Sequence, residues 1–176
     1  MSELSGPVLI GYDGSTDART AVEYAGTLLE GREAVVLTVW EPLLLHVRSA
    51  GVLAGFVPPT AMDIDADSEA AARQLAEEGA VLAGLAGIIA TPRWEQEVPT
   101  VASTIDNVAR ELDASLVVTG SRGLSRLKAL TLGSVSDQLL HNAHRPILVV
   151  PSAPDHTDVT GGSSGTENTN GPPAPE

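Results

Sequence analysis

Along the chain, short runs of consecutive β-branched and apolar residues alternate with longer stretches in which apolar residues return every three to four positions. That alternation predicts βα units wound around a parallel sheet. Five strands are expected: Val8 to Gly11, Val35 to Trp40, Arg93 to Val98, Leu116 to Thr119 and Pro146 to Val150. The first two are apolar on successive residues, as a sheet covered on both faces requires. The third is polar, and Pro92 and Pro99 beside it cannot donate to a ladder, which places it at an edge.

The intervening stretches read as helices. Ser15 or Asp17 caps a helix that runs to about Leu29, with Ala18, Val22, Ala25 and Leu29 on one face. An Ala- and Glu-rich helix is expected from Asp67 to about Ile88. Its final turns are read as the most buried, with Ala83, Gly84 and Gly87 letting another backbone approach. Thr100 begins a helix with Val101, Ile105, Val108 and Leu112 on one stripe, and a last helix runs from about Ser134 to Asn142. Between Pro42 and about Ala66 lies an irregular stretch, containing Pro58-Pro59, that is too long for a simple connection and reads as a lid or a partner surface.

From Ser152 the text is Pro, Gly, Ser, Thr and Asn with almost nothing apolar, and it carries Asp155, Asp158, Glu167 and Glu176 but no Lys or Arg. It reads as a disordered acidic tail, residues 152–176, after one domain over residues 1–151. A length of 176 residues holds one compact core of this kind.

Charge and composition narrow the function. With 10 Lys+Arg against 23 Asp+Glu the net charge is −13, a field that repels phosphate backbones, so no sequence-independent binding of nucleic acid is expected. Tyr12, Tyr24, Trp40, Phe56 and Trp94 do not cluster as base-stacking platforms do. The absence of Cys removes disulfides, thiolate nucleophiles and Cys-ligated zinc, and fits a reducing compartment. The opening MSELSGPVLIGYDG lacks the pattern of a secretory signal, and the longest apolar run, Ala80 to Ala90, is too short to cross a bilayer. A cytoplasmic protein that does not enter membranes is the expectation.

The sharpest chemical feature is Gly120-Ser121-Arg122-Gly123, nine residues, then Gly133-Ser134-Val135-Ser136, between a buried strand and a helix start. Glycines there let backbone N–H groups approach an anion, and the helix beginning near Ser134 aims its unpaired amides and positive dipole end at the same place. Arg122, Arg126 and Lys128 make a cationic island in an acidic chain. A turn bearing exposed basic residues is the plainer alternative. Neither G-x-G-x-x-G nor G-x-x-x-x-G-K-[ST] occurs, so a phosphate chain would be held by neither common glycine loop. Asp137, His141 and His144 share a helix face, but histidines near a helix C-terminus are favoured by its dipole alone and are read as solvated. Asp63, Asp65 and Asp67 lack the glycine and glutamate of a calcium loop and read as a helix-start cluster. His46 has no obvious partner.

Taken together, the strand followed by Asp13-Gly14-Ser15, the closing Pro-Ile-Leu-Val-Val-Pro, and G-x-x-G-x9-G-S at Gly120 to Ser134 resemble the universal stress protein family over residues 6 to 151. The resemblance implies an α/β fold of three layers, an open parallel five-stranded sheet in the order 3-2-1-4-5 with helices on both faces, as in the adenine-nucleotide α-hydrolase-like folds. It also implies dimerisation through the last strand and, in the glycine-motif branch, an ATP site, with Mg2+ or Mn2+ where a metal takes part. Carried over by position, Gly11, Tyr12, Asp13 and Thr119 would face each other across a crevice, Asp13 near the ribose or a metal. Val39 would meet adenine through its backbone. Gly120, Arg122 and Gly123 would line ribose and phosphates, and Gly133, Ser134, Val135 and Ser136 would hold the phosphate tail. Two departures stand out: Tyr12 is bulky enough to narrow the pocket, and Glu97-Val98-Pro99 replaces the family's usual glycine ahead of the third helix.

The expected function is therefore nucleotide binding as a stress-response or signalling module. No general base is evident beside the glycine segment, so at most slow ATP hydrolysis or autophosphorylation on Ser121, Ser134 or Ser136 is expected. A sensor of cyclic AMP or another adenine nucleotide and an interaction protein that binds none are the alternatives. An ATP-using transferase or ligase of the same superfold would need H-x-G-H or S-G-G-x-x-S, and neither is present.

Overall fold

The computed structural model describes residues 5–42, 60–122, 133–142 and 144–151. His46, most of the stretch after Pro42, Gly123, Arg126, Lys128 and the segment from Ser152 onward lie outside the described residues. Five strands, β1 (Val8–Gly11), β2 (Glu33–Trp40), β3 (Ile89–Gln96), β4 (Leu116–Gly120) and β5 (Ile147–Val150), form one sheet in the order β3-β2-β1-β4-β5. Every pairing is parallel.

The helices are α1 (Thr16–Leu28), α2 (Thr60–Leu85), α3 (Val101–Glu111) and α4 (Ser134–Asn142). The two-residue period of β1 sends Val8, Ile10 and Tyr12 to one face, where they pack with Ala18, Ala21, Val22 and Ala25 of α1 and Ala83 of α2. Leu9 goes to the other face with Leu37 and Val117, under Ala102, Ile105, Val108 and Ala109 of α3 and Leu139 of α4. Both faces of β1 are thus covered, and Leu9 and Ile10 are fully buried. The unbroken apolar run in the sequence has that physical cause.

Ser15, not Asp17, caps α1: its Oγ accepts from the Ala18 amide at 3.1 Å, while Asp13 Oδ1 accepts from the Ser15 amide at 3.0 Å. Removing this cap by Ser15→Ala is expected to lower the free energy of unfolding by about 1 kcal/mol, and Ser15→Thr to recover most of it, in urea denaturation followed by circular dichroism. Asp17, two residues on, is buried and has other partners, described below.

Three boundaries differ most from the sequence expectation. The helix expected from Asp67 starts at Thr60. Ala61, Met62 and Ala66 are good helix formers, and Asp63 sits in the first turn, where the dipole favours a carboxylate. The three aspartates 63, 65 and 67 are therefore helical, and among the described residues no cluster of three or more metal-ligating side chains occurs.

At its other end the same helix stops at Leu85, where Gly87 takes a φ of +89° and the Ile88 amide closes onto the Ala83 carbonyl at 3.0 Å. Nor are the final turns the most buried part, since Leu85 is 82% exposed and Val81 63%. The buried ridge is Ala72, Ala76, Gly79 and Ala83. Close approach falls at Gly79, where an added Cβ would lie 2.8 Å from the Tyr12 ring and from Val36, while Gly84 faces open space.

The third correction concerns β3, which begins at Ile89 and takes Pro92 into its interior, in register with Val36. A proline is tolerated there because β3 is an outermost strand and needs no amide on its open side. Arg93 on this strand donates from Nη1 and Nη2 to the two carboxylate oxygens of Glu111, at 3.1 and 2.8 Å. That bidentate pair holds the Arg93 guanidinium pKa above its usual value and the exposed Glu111 carboxyl below its own.

Candidate functional site

Beside β1, the strand order reverses direction. The chain leaves β1 through α1 on one face of the sheet and leaves β4 through α4 on the other. At such a switch point the carboxyl ends of the two strands part and open a crevice. Here it is a cleft of about 330 Å³.

Its walls have different chemistry. Leu37 and Val39 of β2, with Val101 and Ile105 of α3, make an apolar side. The other side is made by Gly120, which ends β4, by Arg122 just after it, and by Gly133, which leads into α4, whose first residues, Ser134, Val135 and Ser136, also line the cleft. The first amides of a helix have no partner within it, so this corner presents donors and a positive dipole end. Asp13 and Glu41 add carboxylates at the rim.

The glycines are needed for packing. A Cβ on Gly120 would lie 2.8 Å from the carbonyl carbon of Asp17 and 2.9 Å from its oxygen, so β4 ends in direct backbone contact with the first turn of α1. A Cβ on Gly133 would lie 3.1 Å from the Ser121 carbonyl oxygen, which already accepts from the Gly133 amide at 2.7 Å. The two ends of the glycine segment are thereby fastened together. Ser121 is held in turn by its amide, which donates to Val150 of β5 at 2.9 Å.

Of the twelve residues expected at the site, Gly11, Tyr12, Asp13, Val39, Thr119, Gly120, Arg122, Gly133, Ser134, Val135 and Ser136 all border this one cleft, and Gly123 lies outside the described residues. Two of them behave differently from expectation. The Tyr12 ring does not narrow the cleft, because it lies on the opposite face of the strand from Gly11 and Asp13. It packs beneath α2 and donates its hydroxyl to Glu78 Oε1 at 2.7 Å. Burial, and then the neighbouring Glu78 carboxylate, push the phenol pKa well above its usual range. The Tyr12 carbonyl is taken by Thr38 Oγ1 at 2.8 Å. Ser136 is only 2% exposed, and its hydroxyl donates to the Gly120 carbonyl at 2.8 Å, joining α4 to the end of β4.

Ala18, Leu37, Glu41, Val101 and Ile105 also line the cleft and were not named from the sequence as site residues. Leu37 shares a face with Val39 by strand period, and Val101 and Ile105 lie on the stripe that marked α3 as amphipathic. Those periodicities were the available signal.

The universal stress protein family profile matches residues 5–151. Among curated relatives, universal stress protein Rv2005c of Mycobacterium tuberculosis is 31% identical over 154 residues, 81% of this chain and 44% of its own. Universal stress protein YxiE of Bacillus subtilis is 31% identical over 151 residues, 81% of this chain and 97% of its own. This chain spans about half the length of the mycobacterial relatives it matches, from 44% to 54%.

Among solved structures, hypothetical protein MJ0577 superposes with a TM-score of 0.68 at 18% identity, over 86% of this chain and 99% of its own. A universal stress protein in complex with cAMP gives 0.56 at 21%, over 84% and 98%. A universal stress protein family protein of Arabidopsis thaliana with AMP bound gives 0.57 at 16%, over 88% and 97%. Sheet order, crevice and profile agree, and the chain belongs to the universal stress protein family.

Proposed function

We propose that this chain is an ATP-binding universal stress protein, a cytoplasmic module whose nucleotide occupancy serves as a stress signal. The observation that carries the reading is that one crevice combines an apolar wall with a backbone anion corner. Val39, Leu37, Val101 and Ile105 suit a purine face. Arg122 and the first amides of α4, which Gly120 and Gly133 bring to the cleft, suit phosphate oxygens. The relatives solved with AMP and with cAMP support an adenine nucleotide as the class of ligand. Asp13, which lines the same cleft, is the carboxylate that would hold Mg2+ or Mn2+ where a metal accompanies the nucleotide. We propose further that two copies associate through β5, which among the described residues pairs with β4 alone.

Calorimetric titration with ATP, ADP, AMP and cyclic AMP tests the assignment. Saturable binding with ATP tightest is expected, together with at least about a tenfold loss in Gly133→Val, because the added bulk meets the Ser121 carbonyl and Arg122 backbone and forces apart the two ends of the segment that frames the anion corner. A preference for cyclic AMP would make the chain a second-messenger sensor. Binding of none of the four would overturn the nucleotide reading.

A further inference from the structure

Behind the anion corner stands a carboxylate with no place in the site described so far. Asp17 lies in the first turn of α1, and its side chain is 12% exposed. Its Oδ2 accepts from Ser121 Oγ at 2.9 Å and from Arg122 Nε at 3.3 Å. The backbone of the same residue presses on Gly120. Three consecutive residues of the glycine segment, 120 to 122, are thus in contact with one aspartate of a different element.

A buried carboxylate is costly without compensation. This one is offset by the dipole at the start of α1, by a hydroxyl and by a guanidinium. Arg122, by contrast, is 40% exposed and borders the cleft. An arginine at that exposure surrenders much rotational freedom when it settles on an anion, unless something has already set its direction.

We infer that Asp17 is a positioning residue for anion recognition: it anchors Arg122 through Nε, so that the guanidinium borders the phosphate end of the cleft before ligand arrives. This inference rests on the nucleotide reading and concerns the phosphate end of that site alone. It predicts that the influence of Asp17 on binding passes through Arg122 and depends on the ligand's charge.

The test is calorimetry with AMP and with adenosine on the wild type, Asp17→Asn, Arg122→Ala and the double variant, each checked for a cooperative thermal transition. Asparagine keeps the shape and an oxygen acceptor for Ser121 but loses the charge that holds the guanidinium. Asp17→Asn is expected to weaken AMP about tenfold, to leave adenosine within about twofold, and to have no further effect once Arg122 is alanine. Asp17→Ser gives a second measurement if the asparagine variant does not fold.

Equal losses for AMP and adenosine, a gain in AMP affinity, or an undiminished effect in the Arg122→Ala background would each overturn the role of Asp17 while leaving the nucleotide site intact. A wild type that binds neither of these ligands overturns this inference, and one that also fails to bind ATP overturns the nucleotide reading with it.

Discussion

Gly120→Ala is expected to cost about 1–3 kcal/mol of stability and to lower nucleotide affinity by at least about tenfold, read by urea denaturation and by calorimetry on the same preparation. The new Cβ would sit 2.8 Å from the Asp17 carbonyl carbon and 2.9 Å from its oxygen. Neither side can yield cheaply. The first turn of α1 is held by the Ser15 cap and by Ala18 in the core. The end of β4 is held by its register with Val150 and by Ser136, whose hydroxyl donates to the Gly120 carbonyl. If β4 retreats, it carries Ser121 and Arg122 with it, and the corner proposed to face phosphate moves. Loss of stability with unchanged affinity would show that the glycine serves packing alone.

Gly26→Val is expected to have the larger effect on folding, about 3 kcal/mol or more, seen as a lower urea midpoint with little change in slope. Gly26 is buried in α1, and a Cβ built on it collides with the Ala86 Cβ and lies 2.5 Å from the Ala86 carbonyl oxygen. Both obstacles are attached directly to backbone, so no side-chain rotation relieves them. Gly84→Ala is the control: nothing lies within 4 Å of its added carbon, and in a helix alanine is favoured over glycine. That substitution is expected to raise stability by up to about 1 kcal/mol. A Gly26→Val variant as stable as the wild type would mean that α1 and the end of α2 are packed more loosely than described.

The contrast between these two glycines marks where the sequence could be read and where it could not. Gly84 stood in the run that looked like a close-approach surface, yet the residues that need to be small are Gly26 and Gly79, whose partners Ala86, Tyr12 and Val36 are far away in the chain. Local pattern was sufficient for β1 and α3, because the first is an unbroken apolar run and the second has a single strong stripe. The start of α2 was missed because helix propensity continues upstream of Asp67, and β3 because a proline usually excludes a strand interior and is harmless on an outer one.

At the site, Gly120, Gly133 and the α4 start announced themselves by spacing, but the sheet order came only through the family resemblance. The direction of Tyr12 was available from the alternation of Leu9, Gly11 and Asp13 against Val8, Ile10 and Tyr12, since only one of the two sets can face α3. Asp17 gave no such signal. As a candidate cap it looked ordinary, and its partners Ser121 and Arg122 lie more than a hundred residues downstream.

The two flanks of the sheet are unequal. On the β3 side, Pro92 interrupts the row of donors and the polar strand is clasped by the Arg93–Glu111 pair. The β5 side offers Ile147 to Val150 with no proline. A ribbon that can be lengthened from one margin only is self-limiting: were two copies to join through β5 as proposed, each would turn its blunted border outward and no third could be enrolled. Under the proposed pairing through β5, geometry of that kind leads to closed pairs and away from open-ended fibres.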